Sequence, residues 1–274
     1  MFVRLIVILL IIGFTGCGRA RHTSTPKSVF ITEHSYAWIC SWDNSSRNDT
    51  IRIYKPREVK SPLPVIIFHH GRGLGYHGYD VVLSEVAASG AIVASVSDDI
   101  SFINGVEWNE PRVYTAPLVN YDLISPGLGM ISASYAIEEA LEQIMQIESF
   151  ADRNRVFFVG HSRGGGGVEI CHARNSPVRG FGYLMAFDVY GWVPMPTQLP
   201  PSRVLVVAAT LDNNLGFTET VSITNHLTGA YNLNVIYGGN HDFISNSITD
   251  GIATITREDE QAQVAGMLIG FVHY

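Results

Sequence analysis

The chain is short of cysteine and of charge. Three cysteines in 274 residues leave no Cys-x-x-Cys pair and no His/Cys cluster spaced for zinc. Charged residues are only 16% of the chain and the formal net charge is −7. No basic stripe of Lys and Arg is present, which argues against nucleic acid as a main partner. No apolar run reaches the roughly 20 residues that a membrane-spanning helix needs, and no internal repeat points to a solenoid or propeller. What the chain does have is 46% hydrophobic residues. That is ample for a large core and incompatible with a disordered chain. The length suits one α/β domain.

The first residues form a separate device. Met1-Phe2-Val3-Arg4 is a short basic start, Leu5 to Ile12 is a continuous apolar run, and Gly13-Phe14-Thr15-Gly16-Cys17 follows. This is the layout of a secretory signal. Small residues directly before Cys17 resemble a bacterial lipoprotein signal, with Phe14 where an aliphatic residue is usual. The resemblance implies cleavage after residue 16, a lipid on Cys17, and a protein held in the cell envelope through that lipid. A plainly secreted protein or an uncleaved N-terminal anchor is the alternative. Residues 17–28 are polar and aperiodic and read as a tether, with the globular part running over 29–274. Cys40 and Cys171 then remain, either as a disulfide in an exported protein or as two buried thiols.

From Val65 onward, short apolar runs alternate with helical segments. Val65–Phe68 and Ala91–Val96 are continuous apolar runs, the mark of strands buried on both faces. Thr50–Tyr54 alternates and ends near Pro56, which suits an edge strand. Ile131 to Ser149 carries an apolar stripe at Ala133, Ile137, Leu141, Ile144 and Met145, the pattern of an amphipathic helix. Further strands are expected at 155–159, within 180–189, at 203–209 and at 233–237. Further helices are expected at 79–89, 164–174, 217–227 and 257–273. The alternation implies an open, mainly parallel sheet with helices on both faces and an antiparallel strand or two at its N-terminal edge. No segment is long enough for a separate lid domain. The irregular stretch 97–129 is the best candidate for a partial cover.

In such sheets, sites form at the carboxyl ends of the strands, and three of those ends carry reactive residues. Gly160-His161-Ser162-Arg163-Gly164 fits Gly-x-Ser-x-Gly, directly after an apolar strand and directly before a helix, which is the setting this motif requires. A sharp turn there lifts the Ser162 hydroxyl above the sheet. Four consecutive glycines, 164–167, cost about 1 kcal/mol each against Ala in a helix, so close packing of helix on sheet is expected to offset them. A serine hydroxyl needs a base, and the base needs an orienting acid. Asp212 follows the strand ending at Ala209, and His241 follows the strand ending at Tyr237. Asp188 is the rival acid, with Asp242 a weaker one beside the base. His226, His273 and His172 compete for the base but fall in expected helices.

A tetrahedral intermediate needs donors for its oxyanion. The backbone N–H of Arg163 is one. By position, the N–H of Arg72 in His69-His70-Gly71-Arg72-Gly73 is the other, and the two histidines read as shaping this loop rather than binding metal. Tyr76, His77 and Tyr79 are candidates for the pocket rim, as is Asp98-Asp99, each with a plain loop or cap role as the alternative.

These segments together resemble the α/β-hydrolases, and within them the compact group of dienelactone-hydrolase-like esterases, bacterial cutinases and polyester hydrolases. The likeness rests on the strand and His-His-Gly loop at 65–73, the elbow at 160–167, Leu211-Asp212, and Gly238-Gly239-Asn240-His241, and spans roughly residues 50–270. It implies an α/β-hydrolase fold and a serine hydrolase of carboxylic esters that needs no cofactor or metal and works through Ser162, His241 and Asp212. Its substrate would be a small-molecule or polymer-linked ester. Polyester hydrolases usually place an aromatic residue where this chain has Arg72, which sets it apart from polyester cleavage. Trp192 stands where that group often has an aromatic substrate wall, with ordinary packing as the alternative. A peptidase or amidase would use the same triad, and a non-catalytic surface-binding protein could keep the scaffold.

Overall fold

Apolar runs without alternation must be covered on both faces, and the chain provides that cover. The computed structural model describes residues 29–41, 44–72, 74–97, 125–246 and 252–274. Among them the strands are β1 (Val29–Cys40), β2 (Ser45–Pro56), β3 (Leu63–His69), β4 (Ile92–Val96), β5 (Ala151–His161), β6 (Gly180–Leu184), β7 (Arg203–Ala209) and β8 (Tyr231–Ile236). They form one sheet in the order β1-β2-β4-β3-β5-β6-β7-β8. β1 and β2 pair antiparallel, β2 pairs antiparallel with β4, and all later pairs are parallel.

The helices are α1 (Asp80–Ala88), α2 (Ser125–Ile147), α3 (Arg163–Ala173), α4 (Phe217–Ser222) and α5 (Arg257–His273). Val82, Leu83 and Val86 of α1 and Val264, Leu268 and Phe271 of α5 share one core with Ile66, Phe68, Phe157 and Val159. Ala136, Ile137 and Ile144 of α2 and Val168 of α3 share the opposite core with Ile67, Phe158 and Tyr183. Alternate residues of the same strands thus feed opposite layers, which is why no polar alternation marks β3 and β5. No separate lid domain is present among the described residues.

Several boundaries differ from the sequence reading. The Thr50–Tyr54 strand is not the edge. It is the middle of β2, and β1 lies outside it. β1 carries its own period-two signal, with Tyr36, Trp38 and Cys40 buried and Ser35, Ala37 and Ile39 facing out, and Asn44 makes the hairpin turn at φ 56°, a conformation Asn tolerates. α2 begins at Ser125, six residues before the expected start, because Pro126 sits in the first turn, where its missing N–H has no intrahelical partner to lose. The helix expected over 217–227 is α4 followed by a 3₁₀ turn at Ile223–His226. Cys40 and Cys171 are both free and buried, so the thiol alternative holds. Cys17, the Asp98-Asp99 pair and the 98–124 part of the insert lie outside the described residues.

The order around β3 locates the site. The chain leaves β3 toward β4 on one side and returns to β5 on the other, so the connections diverge between β3 and β5. Such a switch point opens a crevice at the carboxyl ends of the strands. In register, His69 at the end of β3 faces Gly160 of β5, and His161 faces Leu184 of β6.

Candidate active site

Ser162 stands at that crevice, between β5 and α3, with φ 54° and ψ −122°. A positive φ is strained for a residue with a Cβ, and the surroundings hold it. The Ser162 N–H donates to the Leu184 carbonyl at 3.0 Å, and its own carbonyl accepts from Gly166 and Phe187, both at 3.2 Å. The glycines are required by contact. A Cβ at Gly160 would strike the Gly164 carbonyl, and one at Gly164 would strike the His69 carbonyl. Gly165 faces Ala186, while Gly166 and Gly167 face Met130 and Ala133. The run therefore fits α3 against the sheet, as expected, and against α2 as well.

The expected acid and base, Asp212 and His241, meet. Nδ1 of His241 lies 2.9 Å from Oδ2 of Asp212, and both residues are buried. The other carboxylate oxygen accepts the N–H groups of Asn214 at 3.0 Å, Leu215 at 2.9 Å and Gly216 at 3.4 Å. Burial pulls the Asp212 pKa up, but the hydrogen bond and charge of His241 and the Leu215 and Asn214 N–H groups outweigh it. The carboxyl ends below its ordinary value. An ionised carboxylate only accepts, so His241 Nδ1–H is the donor and Nε2 is left as the basic nitrogen.

No hydrogen bond joins Ser162 Oγ to His241 among the described residues. The ring beside the serine makes the connection. His161 Nε2 donates to the His241 carbonyl at 2.9 Å, and the two imidazoles lie 4.7 Å apart between centroids. Gly71 closes the other side, where a Cβ would come within 3.1 Å of Ser162 Cβ and 2.8 Å of His161 Nδ1. The loop carrying Arg72 therefore runs alongside the serine. Arg163 opens α3, where first-turn N–H groups have no intrahelical acceptor. His69 and His70 each place Nδ1 against the next backbone carbonyl, at 3.0 and 2.8 Å, a local loop-shaping contact.

The rivals are held elsewhere. Asp188 accepts from the Ser222 hydroxyl at 2.6 Å and the Tyr190 N–H at 3.1 Å, with His226 Nε2 at 3.4 Å. The His226 ring stacks on Tyr190. His172 is buried between the Tyr183 hydroxyl and the Pro200 carbonyl, and His273 meets Ser89. Asp242 contacts the Asn214 amide. Trp192 is 41% exposed, and its carbonyl packs against Gly127 near the start of α2. Tyr76 is half-buried, with its carbonyl accepting from Ser95 Oγ. Tyr79 is not a rim residue. It is fully buried, because its hydroxyl serves Gly71 and His161.

Sequence reasoning missed Tyr79 as a strut, His161 as a bridge, and Glu260. Glu260 is one of three acids in the first turn of α5, yet its spacing to Val264, Leu268 and Phe271 puts it on the buried stripe.

No family model matches the chain, and no curated protein does. Among solved structures it is similar to a ferulic acid esterase from Streptomyces cinnamoneus. The TM-score is 0.71 at 14% sequence identity, over 91% of this chain and 90% of that one. The fold is that of the α/β-hydrolases. At this identity the likeness carries the architecture alone.

Proposed function

We propose that the chain is a serine hydrolase of carboxylic esters, in which Ser162 attacks the carbonyl, His241 takes the serine proton and Asp212 orients the imidazole. The observation that carries this reading is the buried Asp212–His241 hydrogen bond of 2.9 Å, set beside a strained serine on a strand-to-helix turn. Nε2 of His241 accepts the hydroxyl proton as the tetrahedral intermediate forms and returns it to the leaving alcohol. A water then repeats the attack and releases the acyl group. The backbone N–H groups of Arg163 and Arg72 hold the oxyanion, each such donor typically contributing about 3 kcal/mol. Hydrogen bonds between nucleophile and base commonly tighten as substrate seats.

An esterase among the structures of similar fold favours an ester over an amide. Trp192 and Tyr76 would contact the substrate. We further propose that residues 1–16 export the chain and that Cys17 carries a lipid that tethers it in the cell envelope. Cys17→Ala would then release the protein from the membrane fraction.

A fluorophosphonate probe tests the chemistry. Wild type should label and Ser162→Ala should not, and p-nitrophenyl esters should be cleaved in preference to the matching anilides. An unlabelled wild type, or ester turnover that survives Ser162→Ala, would refute the reading.

A further inference from the structure

The loop that carries His241 rests on a buried carboxyl outside the proposed triad. Glu260 lies in α5 with no solvent exposure. Its Oε2 accepts the N–H of Asn240, the residue before His241, at 3.0 Å. Gly239 gives the carboxyl room, since a Cβ there would come within 2.8 Å of Oε2. Among the described residues, Oε1 has no hydrogen-bond partner, and neither has the amide nitrogen of the buried Asn240. A buried carboxyl with one oxygen unsatisfied costs stability. A leucine or methionine would fill the same stripe on α5 without that cost, so packing alone does not account for an acid here.

Three elements face the carboxyl. Asp212 faces it from the loop after β7. Asp242 and the Asn240 N–H face it from the loop after β8, and Arg257 from its own helix. Asp212 and Asp242 oppose its ionisation, while Arg257 and the Asn240 N–H favour it.

We propose that Glu260 is a positioning residue of this site: its carboxyl anchors the His241 loop through the Asn240 N–H and, when ionised, places a second negative charge behind the Asp212–His241 pair. That charge stabilises the imidazolium that forms when His241 takes the serine proton. The proposal rests on the reading of Ser162, His241 and Asp212 given above. Burial first, then Asp212 and Asp242, push the Glu260 pKa up to about 7 against the Asn240 N–H and Arg257. The second charge therefore switches on as pH rises through neutrality.

Glu260→Gln tests this, because the amide oxygen can still accept the Asn240 N–H while the charge is gone. In ester hydrolysis, kcat on the alkaline plateau should fall roughly tenfold, the rate equivalent of one pKa unit of imidazolium stabilisation. The acid limb of kcat/KM should move down by roughly one pH unit, with KM unchanged. Arg257→Gln removes the cation facing the carboxyl and should move the rising limb up instead, which keeps the test open if Glu260→Gln does not fold. A Glu260→Gln profile that superimposes on wild type would overturn the proposal. So would a fall in kcat with a risen KM and an unmoved acid limb, the mark of a loosened loop. Fluorophosphonate labelling of wild type separates the two readings. A labelled wild type with an unmoved limb sinks only the role of Glu260, and an unlabelled one sinks the site and this proposal together.

Discussion

Tyr79 donates its hydroxyl hydrogen to Nδ1 of His161 across 2.8 Å. The direction follows from the rest of the chain of bonds. His161 Nε2 faces the His241 carbonyl, which can only accept, so Nε2 carries the hydrogen. Burial first, then His241, push the His161 pKa well below its ordinary value, so the ring is neutral and Nδ1 accepts. The Tyr79 oxygen is then free to accept the Gly71 N–H at 3.0 Å. One line of hydrogen bonds thus ties the loop after β3, the start of α1, the serine turn and the histidine loop.

Tyr79→Phe cuts that line at its centre. It leaves the Gly71 N–H and His161 Nδ1 buried without partners, at a cost of about 1–3 kcal/mol. The loop bearing the Arg72 N–H should loosen, so kcat should fall by about tenfold together with the melting temperature. Thermal melts and ester kinetics on the variant check both, and a variant that matches wild type in both would remove the structural role given to Tyr79.

Asp212 and Asp188 both follow strands at the same sheet edge, and a pair of asparagine substitutions separates them. In Asp212→Asn, the amide oxygen can keep the N–H groups of residues 214–216, which turns the amide NH₂ toward His241. The imidazole must then adopt the other tautomer, and kcat should fall by about 10³- to 10⁴-fold. Asp188→Asn disturbs Ser222, Tyr190 and His226 instead, and its kcat should stay within about tenfold of wild type. The reverse ranking would make Asp188 the acid.

What could be read in the sequence followed from periodicity and from local turns. β7 and α5 match their expected bounds because an apolar run and an amphipathic stripe report burial directly. The strand-to-helix serine turn was legible because its motif lies directly between an apolar strand and a helix and because Gly160 meets Gly164 within the turn itself, although the other glycines of the run answer to distant neighbours. β1 as the outer strand was not, because its pairing with β2 is decided across a hairpin rather than within either segment. Tyr79, His161 and Glu260 were illegible for a different reason. Each owes its role to a distant partner in the chain, 82 positions away for Tyr79, 80 for His161 and 20 for Glu260. No periodicity encodes that a tyrosine hydroxyl will reach a ring 82 positions later.

The buried thiols make a separate prediction. Cys40 and Cys171 are free and fully buried, and burial first, then Glu138, raise the Cys171 thiol well above its ordinary pKa. Both are sealed from solvent in the native fold, and Cys171 is held as the neutral thiol. A thiol reagent such as dithionitrobenzoate should modify neither residue in the folded protein and both after denaturation. Reductant should leave the melting temperature unchanged. A melting temperature that falls with reductant would point to a disulfide between them.

Stability should peak between acid and alkaline losses that come from different residues. Burial lowers the His172 pKa to about 4 from 6.5, opposed by its bond to the Pro200 carbonyl, and burial lowers that of His161 as well. Their stabilisation is complete above pH 6.5 and is lost as pH falls through the folded pKa values. His172 alone accounts for about 3 kcal/mol. Glu260 acts with the opposite sign. Its folded pKa of about 7 lies above the ordinary 4.5, so its contribution is complete below pH 4.5 and disappears as pH rises through 7, again about 3 kcal/mol at most. Glu260→Gln keeps the neutral state at every pH. Its melting temperature should equal that of wild type near pH 4.5 and exceed it by several degrees above pH 7, since each kcal/mol moves a chain of this size by about 2–4 °C. Melting curves of the two proteins from pH 4 to 9 decide it. A variant less stable than wild type at pH 8 would mean that the carboxylate is stabilised in the fold, and that the burial of Glu260 carries no cost for its charge.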